Sequence, residues 1–130
     1  MLSRCMAEPL GILLISGGHE RAHYAFMLAA GAAAIGRPVC IFATNAGCLA
    51  LAQDWSVMSD AARDDAVREA GVAGMDELRD AAAELGVRLL ACDAGLRMAG
   101  LEATLLWRGV EIAGVPSFLS AIAGGQIVTL

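Results

Sequence analysis

The stretch VRLLACDAGLRMAGL, from Val87 to Leu101, shows most clearly how this chain folds. Residues 87–91 form a short, largely apolar run, and in a strand alternate side chains would lie on opposite faces of a sheet. This pattern predicts a buried strand. Asp93 follows at the position expected for a helix N-cap, and the helix is predicted to run from Ala94 to Leu101. Cys92 is therefore expected between the carboxyl end of a strand and the start of a helix.

That position makes Cys92 the strongest candidate for a reactive side chain. Free backbone N–H groups at a helix start favour an anion, so the thiolate is expected to form more readily there than in water. Arg97 can add positive charge from the next turn, whereas Asp93 opposes the thiolate unless its carboxylate caps the helix. The alternative is an inert cysteine, because free cysteine is among the most buried residue types. Spacing alone leaves both roles open.

Strands and helices alternate along the rest of the chain. Further strands are predicted at residues 10–16, 39–44 and 126–130, with a strand or hairpin-like segment at 105–112. Helices are predicted at residues 20–35, 75–85 and 115–123, with a short one at 48–52. This order predicts an α/β fold, a parallel sheet covered by helices on both faces. Residues 1–130 are expected to form a single domain.

Residues 53–74 do not fit this alternation. Asp54, Asp60, Arg63, Asp64, Asp65, Arg68 and Glu69 are concentrated there. We expect a charged insertion or flap with an exposed helix at residues 60–70, whose charges form a solvated face.

Charge and hydropathy exclude several classes of protein. The net charge is −5 without a basic cluster, which argues against a nucleic-acid surface. The longest nearly uncharged apolar run, residues 25–36, is shorter than the roughly 20 residues of a spanning helix. Because 58% of the residues are hydrophobic, we expect apolar surface to be buried between subunits.

The four cysteines are irregularly spaced and lack a C-x-x-C pair. Reduced thiols and a cytoplasmic location are therefore expected. Cys40 is expected in the core of its strand, and Cys5 is expected to be structural or disordered. Cys48 is a possible second thiol of the Cys92 site.

Ligands of parallel sheets gather beyond the carboxyl ends of the strands. That rule brings His19, Asn45 and Cys48 to the same edge as Cys92 and Asp93. We expect the first three, with Asp93, only to line or shape a cleft. The chain has no dinucleotide-binding, P-loop or G-x-S-x-G motif, which disfavours nucleotide binding and serine hydrolysis. No cofactor is indicated.

Residues 19–23, HERAH, match the zinc-protease pattern H-E-x-x-H. As a zinc hydrolase, the chain would use His19 and His23 as ligands and Glu20 as general base. The motif lies at a helix start, however, and a third histidine is missing, so we expect no bound zinc. His23 is then a partly buried helix residue, and His19 caps the helix or lines the cleft.

The pieces ACDAGLRMAGL (91–101), VCIFATNAGCLAL (39–51) and GVEIAGVPSFLSAI (109–122) resemble the DsrE/TusD/DsrF-like family of small sulfur-relay proteins. In that family a strand ends in a single cysteine and a helix with a later glycine follows, as with Cys92 and Gly100. The resemblance implies a three-layer α/β/α protein with a mostly parallel five-stranded sheet, assembled as a homotrimer or hexamer.

The resemblance also implies a function. Some members carry persulfide sulfur on this cysteine and pass it from a donor to an acceptor protein, which would make Cys92 the sulfur carrier. Other members lack the cysteine and are structural subunits. A non-catalytic oligomeric subunit or small-ligand binding module therefore remains the alternative.

Overall fold

The computed structural model describes residues 7–130, so Cys5 lies outside the described part of the chain. Its centre is a five-stranded sheet in the order β4-β3-β2-β1-β5. The strands are β1 (Leu10–Leu14), β2 (Val39–Ala43), β3 (Arg88–Cys92), β4 (Glu111–Ala113) and β5 (Gln126–Thr129). All four pairings are parallel, which confirms the predicted α/β fold.

The α-helices of the described residues are α1 (His19–Ala34), α2 (Arg63–Glu69), α3 (Met75–Glu84), α4 (Asp93–Ala99) and α5 (Val115–Ala121). Short 3-10 helices form at Asn45–Leu51, Trp55–Val57 and Ala103–Leu105. Most predicted elements are present with ends shifted by one to three residues. The segment 105–112 differs more: Gly109 turns the chain with a φ of +79°, and the strand begins only at Glu111.

The two faces of the sheet are covered unequally. Side chains of α1, α3 and α4 share one large core with alternate residues of the strands. Among the helices of residues 7–130, α5 alone covers the other face, where the Phe118 ring stacks on Phe42 with centroids 4.9 Å apart. The chain reverses its direction across the sheet between β4 and β5, so a right-handed crossover must place α5 on the face opposite the earlier helices. The result is a three-layer α/β/α arrangement in which the helical layer formed by α5 is thin.

The thin layer leaves apolar side chains in solvent. We define the α5 patch as Val115, Leu119 and Ile127, which are 51%, 49% and 45% exposed. Val128 packs into the larger core, so strand alternation places its neighbour Ile127 on the face of α5. Within residues 7–130, no helix combines the length and the apolar character that crossing a membrane requires.

Candidate functional site

Cys92 is the last residue of β3 and the N-cap of α4, as its extended φ of −69° and ψ of 125° show. The residue is 7% exposed, and its side chain makes no capping hydrogen bond. The expectation that Asp93 caps the helix is wrong, because Asp93 is already the first helical residue. Its carboxylate accepts a hydrogen bond from Arg97 Nη2 at 3.0 Å on the exposed side of the first turn. Arg97 therefore folds back, but its partner is Asp93.

The helix that follows Cys92 packs closely on the segment after β2. A Cβ atom built on Gly95 would lie 2.5 Å from the Asn45 amide nitrogen and 2.6 Å from Thr44 Oγ1. Only glycine permits this approach without a shift of the backbone. Asn45 is exposed and begins the 3-10 helix with a φ of +52°, a conformation that asparagine tolerates better than most residues. The close approach brings the start of this segment beside α4.

Cys48 is fully buried and lies close to the backbone of Cys92. Its Sγ donates to the Ala43 carbonyl oxygen at 3.5 Å. Burial, and after it the charge of the neighbouring Cys92, raise the pKa of Cys48 to about 11, against the backbone hydrogen bonds that lower it. Burial likewise raises the pKa of Cys40 to about 11, against the opposing charge of Arg88. Cys40 is in the core, as predicted. Both Cys40 and Cys48 are therefore protonated thiols at neutral pH.

His19 belongs to a different cluster. Its imidazole is fully buried, with Nε2 2.8 Å from Asp64 Oδ1 and Nδ1 3.3 Å from Arg63 Nη1. Since the guanidinium can only donate, Nδ1 accepts, and the Nε2–H group donates to Asp64. The ring also lies 6.1 Å from that of Trp55, between centroids. The structure thus places Asn45, Cys48 and Asp93 near Cys92, and His19 among residues of the 53–74 segment. The Cys48 side chain packs in the large core, however, whereas that of Cys92 packs with Phe118 on the α5 face of the sheet.

The second histidine of the H-E-x-x-H motif also contacts a later segment. His23 Nε2 donates to the Ala73 carbonyl oxygen at 2.8 Å, and its ring stacks on that of His19 with centroids 5.4 Å apart. Both Nε2 atoms are thus engaged by protein oxygens. In the described part of the chain, no group of three or more His, Cys, Asp or Glu side chains is arranged to hold a metal ion. This geometry gives the zinc-hydrolase alternative no support.

Asp64 is the residue of this region that sequence reasoning missed. It was expected on a solvated face, but it is 3% exposed. Its Oδ1 atom accepts from both His19 and the Met75 backbone N–H, the latter at 2.9 Å. Asp64 thereby caps α3, whose own N-cap residue, Gly74, has no side chain. Burial would raise the pKa of Asp64, but these hydrogen bonds and the charge of Arg68 hold it below its usual value.

Comparisons with known proteins agree with this architecture. The family model described as "DsrE/DsrF-like family" matches residues 10–130. The ychN protein of E. coli is similar in structure, with a TM-score of 0.66 at 11% identity over 95% of this chain and 99% of that one. MTH1491 of Methanobacterium thermoautotrophicum, titled a protein of unknown function, has a TM-score of 0.64 at 17% identity, with the same coverage.

No curated protein matches the chain in sequence. The two structural likenesses show the fold alone, at these identities. The family model extends from the first residue of β1 through the last strand, and it includes Cys92 and the whole charged segment. The resemblance read from the sequence is confirmed: the chain belongs to the DsrE/DsrF-like family.

Proposed function

We propose that this protein is a cytoplasmic sulfur carrier that holds persulfide sulfur on Cys92 between a donor and an acceptor protein. The observation that carries the proposal is the position of Cys92, at the end of β3 and the mouth of α4. Carboxyl ends of parallel strands are where such sheets place their reactive groups. Free thiols at Cys40, Cys48 and Cys92 suit a reducing compartment.

The transfer step needs only one nucleophile. The Cys92 thiolate attacks the outer sulfur of a donor persulfide, R–S–SH, forming a new S–S bond as the donor's S–S bond breaks. The products are Cys92–S–SH and the donor thiolate R–S⁻, so no external oxidant is required. An acceptor thiolate removes the outer sulfur by the same reaction.

Cys48 has a passive role in this scheme. An attack of Cys48 on the inner sulfur of the Cys92 persulfide would release hydrosulfide and form a disulfide. Such an attack requires a thiolate, and the pKa of about 11 keeps Cys48 protonated at neutral pH. The burial of Cys48 therefore protects the loaded state.

The first prediction concerns sulfur loading. After exposure to a sulfane donor and removal of the excess, a Cys5→Ser variant is expected to release about one equivalent of thiocyanate on cyanolysis. Adding Cys92→Ser abolishes this sulfur, because the accepting atom is gone. Adding Cys40→Ser or Cys48→Ser in its place leaves the yield unchanged. Equal loading with and without Cys92 would refute the carrier role.

One observation favours the non-catalytic subunit as the second candidate. Cys92 is only 7% exposed, and an inert core cysteine would be equally buried. The two candidates differ in the reactivity of the folded protein. If Cys92 takes up no sulfur until the chain is unfolded, the protein is a structural subunit.

We further propose a homotrimer or hexamer, assembled through the α5 patch. A second copy would cover apolar side chains that α5 and β5 leave in solvent. Leu119→Arg is expected to convert the assembly to monomers, since an unpaired buried charge costs several kcal/mol per subunit. Sedimentation velocity at micromolar concentration measures the change.

Leu85→Arg is the matched control for this prediction. Leu85 is 45% exposed, close to the 49% of Leu119, but it lies at the end of α3 on the other face of the sheet. Its replacement should leave the assembly intact. A wild-type protein that sediments as a stable monomer would contradict the proposal.

A further inference from the structure

A groove between α1 and α2 has no part in the sulfur chemistry described above. We call it the α1–α2 groove: its walls include Tyr24 and Met27 of α1 and Val67 of α2, and Val72 and Leu130 also line it. Its volume is about 750 Å³, within the roughly 300–1,000 Å³ typical of small-molecule sites. Both histidines of the H-E-x-x-H motif connect α1 to the opposite wall of the groove. His19 is hydrogen-bonded to Asp64 of α2, and His23 to Ala73 of the following turn.

The charges along the groove are unlike those of the whole protein. Glu20, Arg21 and Arg63 are the charged side chains among its lining residues, and together they carry one net positive charge in a chain of formal net charge −5. Arg63 Nη2 lies 3.6 Å from Glu20 Oε2, an exposed and loose ion pair. Within residues 7–130, Arg21 makes no ion pair. Arg21 is therefore available to an anion, and Arg63, whose Nη1 already donates to His19, retains further N–H donors beside its loose pair with Glu20.

The groove also holds a nearly buried polar side chain. His23 is 5% exposed and is among the lining residues. Its Nε2–H group donates to Ala73, which leaves Nδ1 as an acceptor without a hydrogen-bond partner in the described part of the chain. Apolar walls with a few convergent polar groups are what ligand sites share.

We propose that the α1–α2 groove binds a small amphipathic carboxylate. Its apolar body lies between Tyr24, Met27 and Val67, and its carboxylate pairs with Arg21 and Arg63. Charge complementarity selects this occupant over a neutral lipid, and the groove is large enough for a ligand of about ten carbon atoms. The site requires neither Cys92 nor sulfur, so a test of ligand binding at the groove is independent of the carrier function.

Calorimetric titration with decanoate, at concentrations below those at which it forms micelles, tests the proposal. Decanol serves as a neutral ligand of the same length. We expect one decanoate per chain, bound more tightly than decanol and more weakly as salt is raised. Arg21→Gln should weaken decanoate about fivefold, the upper range for an exposed ion pair, and leave decanol unchanged. Arg97→Gln, which removes the same charge beside α4, should have no effect on either ligand.

Ala66→Trp provides a second, steric variant. Ala66 lines the groove and is exposed, so the indole should fill the groove and abolish the binding of both ligands without unfolding α2. Equal affinity for decanoate and decanol, or decanoate binding that ignores Arg21→Gln, would overturn the proposal. The proposal would also be overturned if neither ligand bound and Ala66→Trp changed the sedimentation coefficient. That result would identify a second copy of the chain as the occupant of the groove.

Discussion

Replacing Asp64 with alanine is expected to lower the free energy of unfolding by about 3 kcal/mol. The change leaves the buried Nε2–H of His19 and the first N–H of α3 without their acceptor. It also removes one of the hydrogen bonds that join α1 to the 53–74 segment. Denaturant unfolding followed by circular dichroism measures the loss. A loss below about 0.5 kcal/mol, the scale of an ordinary surface substitution, would contradict this role.

Asp64→Asn separates hydrogen bonding from charge. Both hydrogen bonds end on the same atom, Oδ1, so the amide oxygen of asparagine can accept both. The charge near Arg68 is lost, at a distance of 3.6 Å from an exposed guanidinium. We therefore expect a loss of only about 1 kcal/mol at neutral pH.

The same pair of proteins gives a pH test. The pKa of Asp64 is lower in the folded chain than the reference value of about 3.9 for the unfolded one. The stabilisation by this carboxylate is therefore complete above the unfolded pKa and is lost as pH falls through the folded pKa. The stability difference between wild type and Asp64→Asn should accordingly shrink on acidification below about pH 4. A difference that stays constant down to pH 2 would show that the charge contributes nothing.

Arg79→Ala is expected to have an effect of similar size, about 3 kcal/mol. Arg79 is 2% exposed and donates to the carbonyl oxygens of Ala50, Ala52 and Gln53, at 3.2, 2.6 and 3.2 Å. Its guanidinium carbon lies 4.4 Å from the centroid of a Trp107 ring. Alanine would leave three carbonyl groups without this donor and a cavity beneath the indole.

Burial lowers the pKa of Arg79 to about 10, so the group is still charged at pH 7. Arg79→Lys keeps the charge but cannot reproduce the planar, multiply bonded geometry, and we expect it to lie between wild type and Arg79→Ala. The carbonyls that Arg79 binds lie at and just after the end of the 3-10 helix that carries Cys48. Alkylation of Cys48 by iodoacetamide should therefore speed up in Arg79→Ala. Lysine and alanine variants of equal stability would contradict this explanation.

The features that the sequence predicts correctly are those with local causes. The strand–cysteine–helix order around Cys92 follows from alternation over a few residues. Asp93 shows the limit of that reasoning: aspartate is a good N-cap, but the extended backbone occurs at Cys92, and the carboxylate is paired with Arg97. A shift of one residue thus changes the role of the side chain.

The features that the sequence does not predict depend on long-range contacts. Asp64 lies 45 residues from His19, and nothing in its run of charged neighbours distinguishes it from a solvated carboxylate. The H-E-x-x-H spacing places both histidines on one helix face, but only the structure shows that the oxygens of Asp64 and Ala73 are their partners. Gly95 is similar, because its need for close approach arises from Thr44 and Asn45 on another element.

Peptide mapping by mass spectrometry after incubation with a sulfane-sulfur donor tests the central claim most directly. The folded protein should carry one additional sulfur atom on the peptide that contains Cys92, and none on the peptides that contain Cys40 or Cys48. Cys40 and Cys48 serve as internal controls, because burial raises the pKa of both thiols and keeps them protonated at neutral pH. An unmodified Cys92 peptide, or added sulfur spread equally over the three cysteines, would contradict a carrier role for Cys92.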